Sequence, residues 1–157
     1  RANLLREAAA RGVDGSRLVF APYAPTIEEH LGRLQLADIA LDTAPYNSHS
    51  TGVDALWCGV PLVCIRGQRF AGRVAASIVN AAGLPELAAG TLDEYRQTAF
   101  RLATDAAALS AMKARLEEAR LKSALFDTAG FARDLEALYM RMRDDHTAGR
   151  RDAIRRR

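Results

Sequence analysis

The richest chemistry in this sequence lies in Thr43-Ala44-Pro45-Tyr46-Asn47-Ser48-His49-Ser50-Thr51-Gly52, between an apolar run ending at Asp42 and a helical pattern. The first turn of a helix presents amide N–H groups without intrahelical partners and a partial positive charge. A loop that brings hydroxyls and an imidazole to that place is suited to a phosphate. Ser50 and Thr51 supply hydroxyl donors, Gly52 lets a ligand approach the backbone, and His49 can donate to a phosphate oxygen or a sugar hydroxyl. The same residues also read as a plain capped helix, because Thr51-x-x-Asp54 is a weak capping box. Asp54 then either hydrogen-bonds ribose hydroxyls or complements the helix dipole.

A second loop, Ala21-Pro22-Tyr23-Ala24-Pro25, precedes Glu28-Glu29-His30 and Arg33. A flat imidazole beside exposed backbone suits stacking on a base, with Arg33 one turn on to reach base carbonyls. A surface histidine in an acidic helix is the plainer reading. The chain has neither G-x-G-x-x-G nor G-x-x-x-x-G-K-[ST], so dinucleotide and P-loop readings have no support. No Ser/His/Asp order and no pair of carboxylates stands out for catalysis. His30, His49 and His146 lack metal-ligand spacing, and no metal site is expected.

The elements that must position these loops alternate. Leu18 to Ala21, Ala37 to Asp42 and Pro61 to Ile65 read as strands, with a short edge strand at Glu86-Leu87-Ala88. Thr26 to Leu34, Thr51 to Cys58 and Arg69 to Ala82 read as helices, the last two stopped by Gly59 and Gly83. Short apolar strands alternating with helices imply parallel pairing in a doubly wound α/β sheet. Such sheets bind ligands beyond the carboxyl ends of their strands, which points to the loops Ala21–Thr26, Thr43–Thr51 and Arg66–Arg69.

After residue 90 the pattern turns helical. Thr91-Leu92-Asp93-Glu94 predicts a capping box, with Leu92, Tyr95, Ala99 and Leu102 on one face behind it. Leu109, Met112 and Leu116 mark a second helix; Phe131, Leu135, Leu138 and Met142 mark a third. These stripes read as core or packing faces. The expected organisation is an α/β lobe over residues 1–90, C-terminal helices packing on the lobes over 91–146, and a basic, disordered tail over 147–157.

The net charge of +3 comes from that tail, whose five arginines against Asp152 leave the rest of the 157-residue chain slightly acidic. No aromatic residues interleave with those arginines, so no nucleic-acid partner is expected. A hydrophobic fraction of 49% with 26% charged residues describes an ordinary globular protein. No apolar run nears the roughly 20 residues that span a bilayer, so no membrane partner is expected. Cys58 and Cys64 form no C-x-x-C pair and read as free thiols of a reducing compartment, the cytoplasm. The start has no apolar h-region and no Met, which reads as part of a longer polypeptide.

Taken in order, Ala24-Pro25, Glu28-Glu29-His30, Gln35-Leu36-Ala37-Asp38, Leu41-Asp42-Thr43, Asn47, His49, Thr51-Gly52, Asp54, Leu56-Trp57, Gly59, Pro61 and Arg73-Val74-Ala75-Ala76-Ser77 closely resemble the O-linked N-acetylglucosaminyltransferases, glycosyltransferase family 41. The likeness, to a bacterial-type member, continues through Tyr95, Leu102, Thr104-Asp105, Leu125-Phe126 and Leu138-Tyr139. It implies the C-terminal, Rossmann-like lobe of a GT-B enzyme that moves GlcNAc from UDP-GlcNAc to Ser or Thr of proteins, with inversion and without a metal or other cofactor. On matching positions it implies that Ala24 (through its backbone), His30 and Arg33 hold the uracil. His49, Ser50 and Thr51 would hold the diphosphate and adjacent sugar, and Asp54 the ribose. Thr26-Ile27 stand where the animal enzymes have a single lysine, Ser50 replaces a threonine, and Ala44-Pro45-Tyr46 also departs from the pattern. The family's lysine and further histidines come from upstream segments, so no catalytic residue is expected within this chain, which alone should bind weakly and not turn over. The implied partners are a UDP-sugar, a protein acceptor, and the upstream polypeptide with its N-terminal lobe and tetratricopeptide repeats. Two alternatives stay open: a related enzyme such as an O-fucosyltransferase using GDP-fucose or a nucleotide-sugar epimerase, and a non-catalytic nucleotide-sugar-binding module.

Overall fold

A computed structural model describes residues 1–150. The expected arginine tail falls largely on residues 151–157, outside the described ones. The described residues divide into two units, Arg1–His30 and the larger remainder from Leu31.

In the first unit, helix α1 (Ala2–Ala10) buries none of its residues. A 3₁₀ turn, Gly15–Arg17, follows, with the Asp14 carboxylate accepting from the Ser16 amide at 2.9 Å. The expected strand at Leu18 to Ala21 does not form. Val19 is 88% exposed, and no strand among the described residues pairs with this run. Apolar, β-prone side chains make a strand only when a neighbouring backbone takes up their N–H and C=O groups. Helix α2 (Ile27–Leu34) begins where the Thr26 hydroxyl accepts from the Glu29 amide at 3.2 Å.

The larger unit is built on a three-stranded parallel sheet in the order β1 (Ala40–Leu41), β2 (Leu62–Ile65), β3 (Ala88–Ala89). Helix α3 (Ser50–Trp57) links β1 to β2, and α4 (Val74–Ala81) links β2 to β3. Leu62, Val63 and Cys64 are all buried, the continuous apolar run expected of a central parallel strand. β1 is shorter than predicted because Leu36 and Ala37 still donate to Arg33 and Leu34 as the closing turn of α2. Its edge position leaves Leu41 56% exposed. Gly59 and Gly83 stop α3 and α4 as read, with φ of 79° and 76°, a region that favours glycine. The helix expected from Arg69 instead starts with a 3₁₀ turn at Phe70–Gly72. Gly72 lies so close to the β1–α3 loop that an added Cβ would stand 3.0 Å from the Pro45 carbonyl oxygen and 3.2 Å from Gly67 Cα.

Three helices complete the unit: α5 (Leu92–Thr104), α6 (Ala106–Lys122) and α7 (Thr128–Thr147). Each starts at a side-chain cap, from Thr91, Asp105 and Asp127 respectively. At α5 the box is shifted. Thr91 accepts from the Glu94 amide as predicted, but the Glu94 carboxylate takes the Gly90 N–H at 2.7 Å instead of that of Thr91. Leu56, Val63, Val79, Leu84, Leu87, Leu102, Met112 and Leu116 belong to one core that joins the sheet, α3 and α4 to α5 and α6. The third stripe is not part of this core. No residue of α7 is buried, and Phe131, Leu138 and Met142 are 66%, 43% and 42% exposed.

Candidate functional site

The β1–α3 loop leaves the sheet at the carboxyl end of β1, where an open parallel sheet places its ligands. Its conformation is fixed by its own polar groups. The Asp42 carboxylate accepts from the Ser48 amide at 2.7 Å, Thr43 Oγ1 donates to the Tyr46 carbonyl at 2.7 Å, and Asn47 Nδ2 donates to the Thr43 carbonyl at 3.0 Å. The Asn47 amide reaches across to the Ala71 carbonyl. From 53 residues away the Tyr95 hydroxyl donates to the Asp42 carbonyl at 3.0 Å, clamping the start of the loop to α5. Burial, then the neighbouring Asp42 and Cys64, holds that phenol's pKa above its ordinary value.

The loop forms a cavity of about 500 Å³ whose walls include Asp42, Tyr46, Asn47, Ser48, His49, Ser50 and Thr51. His49 stands at the helix entrance. Its ring stacks on Tyr46, with centroids 5.1 Å apart and planes 9° from parallel, and meets Phe70 edge-on at 6.4 Å. These two contacts fix the direction of the imidazole without using its nitrogens. His49 occupies the cap position of α3 but makes no side-chain cap hydrogen bond, and the Thr51–Asp54 capping box does not form. The first turn of α3 therefore faces the cavity without a side chain of its own closing it.

Five buried side-chain polar atoms in the described residues lack a hydrogen-bond partner: Asp42 Oδ2, Asn47 Oδ1, Ser48 Oγ, His49 Nε2 and Ser123 Oγ. Four of them sit on this loop. Folded proteins leave few such atoms, since each costs about 1–3 kcal/mol, so their concentration on one cavity wall marks a place for a polar ligand. The set is mixed. His49, Ser48, Ser50 and Thr51 can donate, as phosphate oxygens require, while Asp42 and Asn47 offer acceptor oxygens for hydroxyl groups.

Of the residues singled out from sequence, His49, Ser50 and Thr51 come together in this cavity. Asp54 lies half-buried on α3, one turn beyond Thr51. Arg33 lies on α2 in the same unit, whereas Ala24 and His30 belong to Arg1–His30. Gly52 has a different role from the one expected. It is buried, and an added Cβ would stand 2.7 Å from Ser48 Oγ and 3.0 Å from Leu62, so it admits the protein's own loop and not a ligand. Sequence reasoning gave no site role to the side chains of Asp42 and Ser48, and placed Tyr95 only on a packing face. An aspartate closing a strand before a hydroxyl-rich loop is a signal that could have pointed to Asp42; nothing local points to Tyr95.

Among the described residues no group of His, Cys, Asp and Glu is placed to hold a metal, and no helix is long and apolar enough to cross a membrane. Both cysteines are free thiols. Burial, reinforced by Asp42, pushes the Cys64 pKa up to about 12, and burial also raises that of Cys58.

Comparison with known proteins places this cavity in context. The profile of glycosyl transferase family 41 matches residues 1–135. A UDP-N-acetylglucosamine–peptide N-acetylglucosaminyltransferase of Caenorhabditis elegans is 45% identical over 139 residues, covering 88% of this chain and 12% of its own length. A probable enzyme of the same name, SEC, from Arabidopsis thaliana is 38% identical over 143 residues, covering 90% and 14%. The structure superposes on that of a mutant O-GlcNAc transferase of Thermobaculum terrenum with a TM-score of 0.82 and 35% identity, over 90% of this chain and 27% of the other. The sheet and its flanking helices thus match a Rossmann-like lobe, and the chain spans only a minor part of the length of these relatives.

Proposed function

The chain belongs to glycosyl transferase family 41, and from that premise we propose that it is the donor-binding part of an inverting, metal-independent transferase of GT-B architecture. The reaction moves GlcNAc from UDP-GlcNAc to serine or threonine hydroxyls of proteins in the cytoplasm. The observation that carries this reading is the cluster of unpartnered buried polar atoms on Asp42, Asn47, Ser48 and His49, set around the uncapped start of α3. A nucleoside diphosphate sugar offers both kinds of partner that this cluster lacks: anionic oxygens for the donors and hydroxyls for the acceptors.

In chemical terms, negative charge builds on the β-phosphate as the bond to the sugar breaks. Fixed donors aimed at that charge stabilise the transition state more than the ground state. His49, with its proton on Nε2, the hydroxyls of Ser50 and Thr51, and the first amides of α3 take that role. Asp54 holds the ribose, and Ala24, His30 and Arg33 hold the uracil. The exposed stripe of α7 is where the C-terminal helices pack on the rest of the catalytic region. That region, with tetratricopeptide repeats before it, supplies the groups that complete the reaction.

The test is calorimetric titration of UDP into the complete polypeptide. His49→Ala should weaken UDP binding roughly ten-fold, the loss of one charge-assisted hydrogen bond, while GDP should compete poorly with UDP. Unchanged UDP affinity in the variant would remove His49 from the diphosphate site. Turnover of the same polypeptide should persist in EDTA, and its abolition would contradict metal independence.

A further inference from the structure

Strand, helix and loop meet at Asp42. Its amide donates to the Val63 carbonyl of β2 at 2.9 Å, and its carbonyl accepts from the Tyr95 hydroxyl of α5 at 3.0 Å. Its carboxylate accepts from the Ser48 amide at 2.7 Å. The bond from Tyr95 controls more than the residue it touches. A carbonyl shares a rigid plane with the next amide, so holding the Asp42 oxygen fixes the peptide from which Thr43 departs. Thr43 in turn pins the rest of the loop, donating from Oγ1 to the Tyr46 carbonyl and accepting from Asn47 Nδ2.

The far end of this chain of contacts is His49. Its Nε2 is buried and has no hydrogen-bond partner, so the direction of the ring depends on its neighbours, chiefly the stacked Tyr46. The near end is rigid. Tyr95 ends the first turn of α5, its amide donates to the Thr91 carbonyl, and its ring packs against the core. Tyr95 does not line the cavity.

We propose that Tyr95 is a positioning residue for His49, setting donor affinity from outside the cavity by holding the Asp42–Thr43 peptide. The inference rests on the reading of the cavity as the donor site. Without the phenolic oxygen this peptide is free to rotate. Thr43 then no longer fixes Tyr46, and the imidazole spends part of its time turned away from the ligand. Apparent affinity falls with the fraction of molecules whose loop stays arranged. A loop that must be ordered on binding costs affinity even though every ligand contact is still available.

UDP is titrated calorimetrically into the complete polypeptide, for wild type, Tyr95→Phe, His49→Ala and the double variant. Tyr95→Phe keeps the packed ring and should weaken UDP binding roughly five-fold at unchanged stoichiometry, about the effect of one net hydrogen bond. Replacing Tyr95 with para-aminophenylalanine, which puts an N–H donor where the hydroxyl stood, should bring affinity back to within about two-fold of wild type. In the His49→Ala background, Tyr95→Phe should cost less than about two-fold, because the group it positions is gone. Wild-type affinity in Tyr95→Phe would overturn the proposal, as would a fall in stoichiometry alone, the mark of a merely structural role. Failure of the amino analogue to restore binding, or additive losses in the double variant, would overturn it too. If His49→Ala leaves UDP affinity unchanged, the diphosphate reading itself fails, and this inference with it.

Discussion

The loop from Asp42 to Thr51 and helix α7 are incomplete in opposite ways. The loop buries polar atoms that have no partner, on Asp42, Asn47, Ser48 and His49. The helix leaves apolar side chains, Phe131, Leu138 and Met142, substantially exposed. Each state is unfavourable for the folded chain by itself, the first through lost hydrogen bonds and the second through unburied apolar surface. The remedies differ accordingly. Polar orphans in a cavity are satisfied by a small ligand that brings complementary donors and acceptors. An apolar helical stripe is satisfied only by another packed surface. Unmet polar need therefore marks chemistry, and unmet apolar need marks architecture.

The largest effect separates α7 from its neighbour α6, whose stripe has similar helical spacing but is buried. Leu116→Ala should cost about 2–5 kcal/mol in denaturant unfolding of this chain, the range for truncating a fully buried leucine. Leu138→Ala on α7 should stay within about 0.5 kcal/mol, as for an exposed site. Similar losses at both positions would show that α7 is packed after all and would break the contrast.

On the loop side, Gly52→Ala places a methyl group 2.7 Å from Ser48 Oγ. Overpacking of this kind should cost about 1–3 kcal/mol. Because Ser48 is tied to Asp42, the shift should also weaken UDP binding in the complete polypeptide. A variant with wild-type stability and affinity would mean that the loop yields freely and does not form a fixed cradle.

The most gradual effect, spread over the alkaline range, concerns Cys64, buried on β2 beside Asp42. Its folded-state pKa lies near 12 against an ordinary value of 9.0, so between these limits the folded chain retains a proton that the unfolded chain loses. This contribution to stability is complete below pH 9 and is lost as pH rises toward 12, by up to about 1.4 kcal/mol per pH unit. Urea unfolding at several alkaline pH values should show a shallower decline in Cys64→Val than in wild type. Parallel declines would show that the thiol does not carry the effect.

Much of the site was legible because it is local. A helix entrance with hydroxyls and an imidazole at adjacent positions needs no tertiary information, and His49, Ser50 and Thr51 indeed share one cavity. The strand at Leu18 to Ala21 was misread for the converse reason, since pairing is not a property of the run itself. Gly52 was misread because nothing in its neighbourhood announces that Ser48 and Leu62 close over it.

By itself the sequence determined the parallel α/β order, the glycine stops of α3 and α4, the Thr91 cap of α5 and the place of a hydroxyl-rich loop at the entrance of α3. All of these follow from periodicity, backbone preference and hydrogen bonding within a few residues. The tertiary structure alone decided that Tyr95 clamps Asp42 from 53 residues away, and that Asn47 is buried with its side-chain oxygen unpartnered beside the cavity. It also decided that Met112 and Leu116 of α6 are core while no residue of α7 is buried. Burial and orphaned polar atoms depend on what else packs at a point in space, which no local pattern encodes.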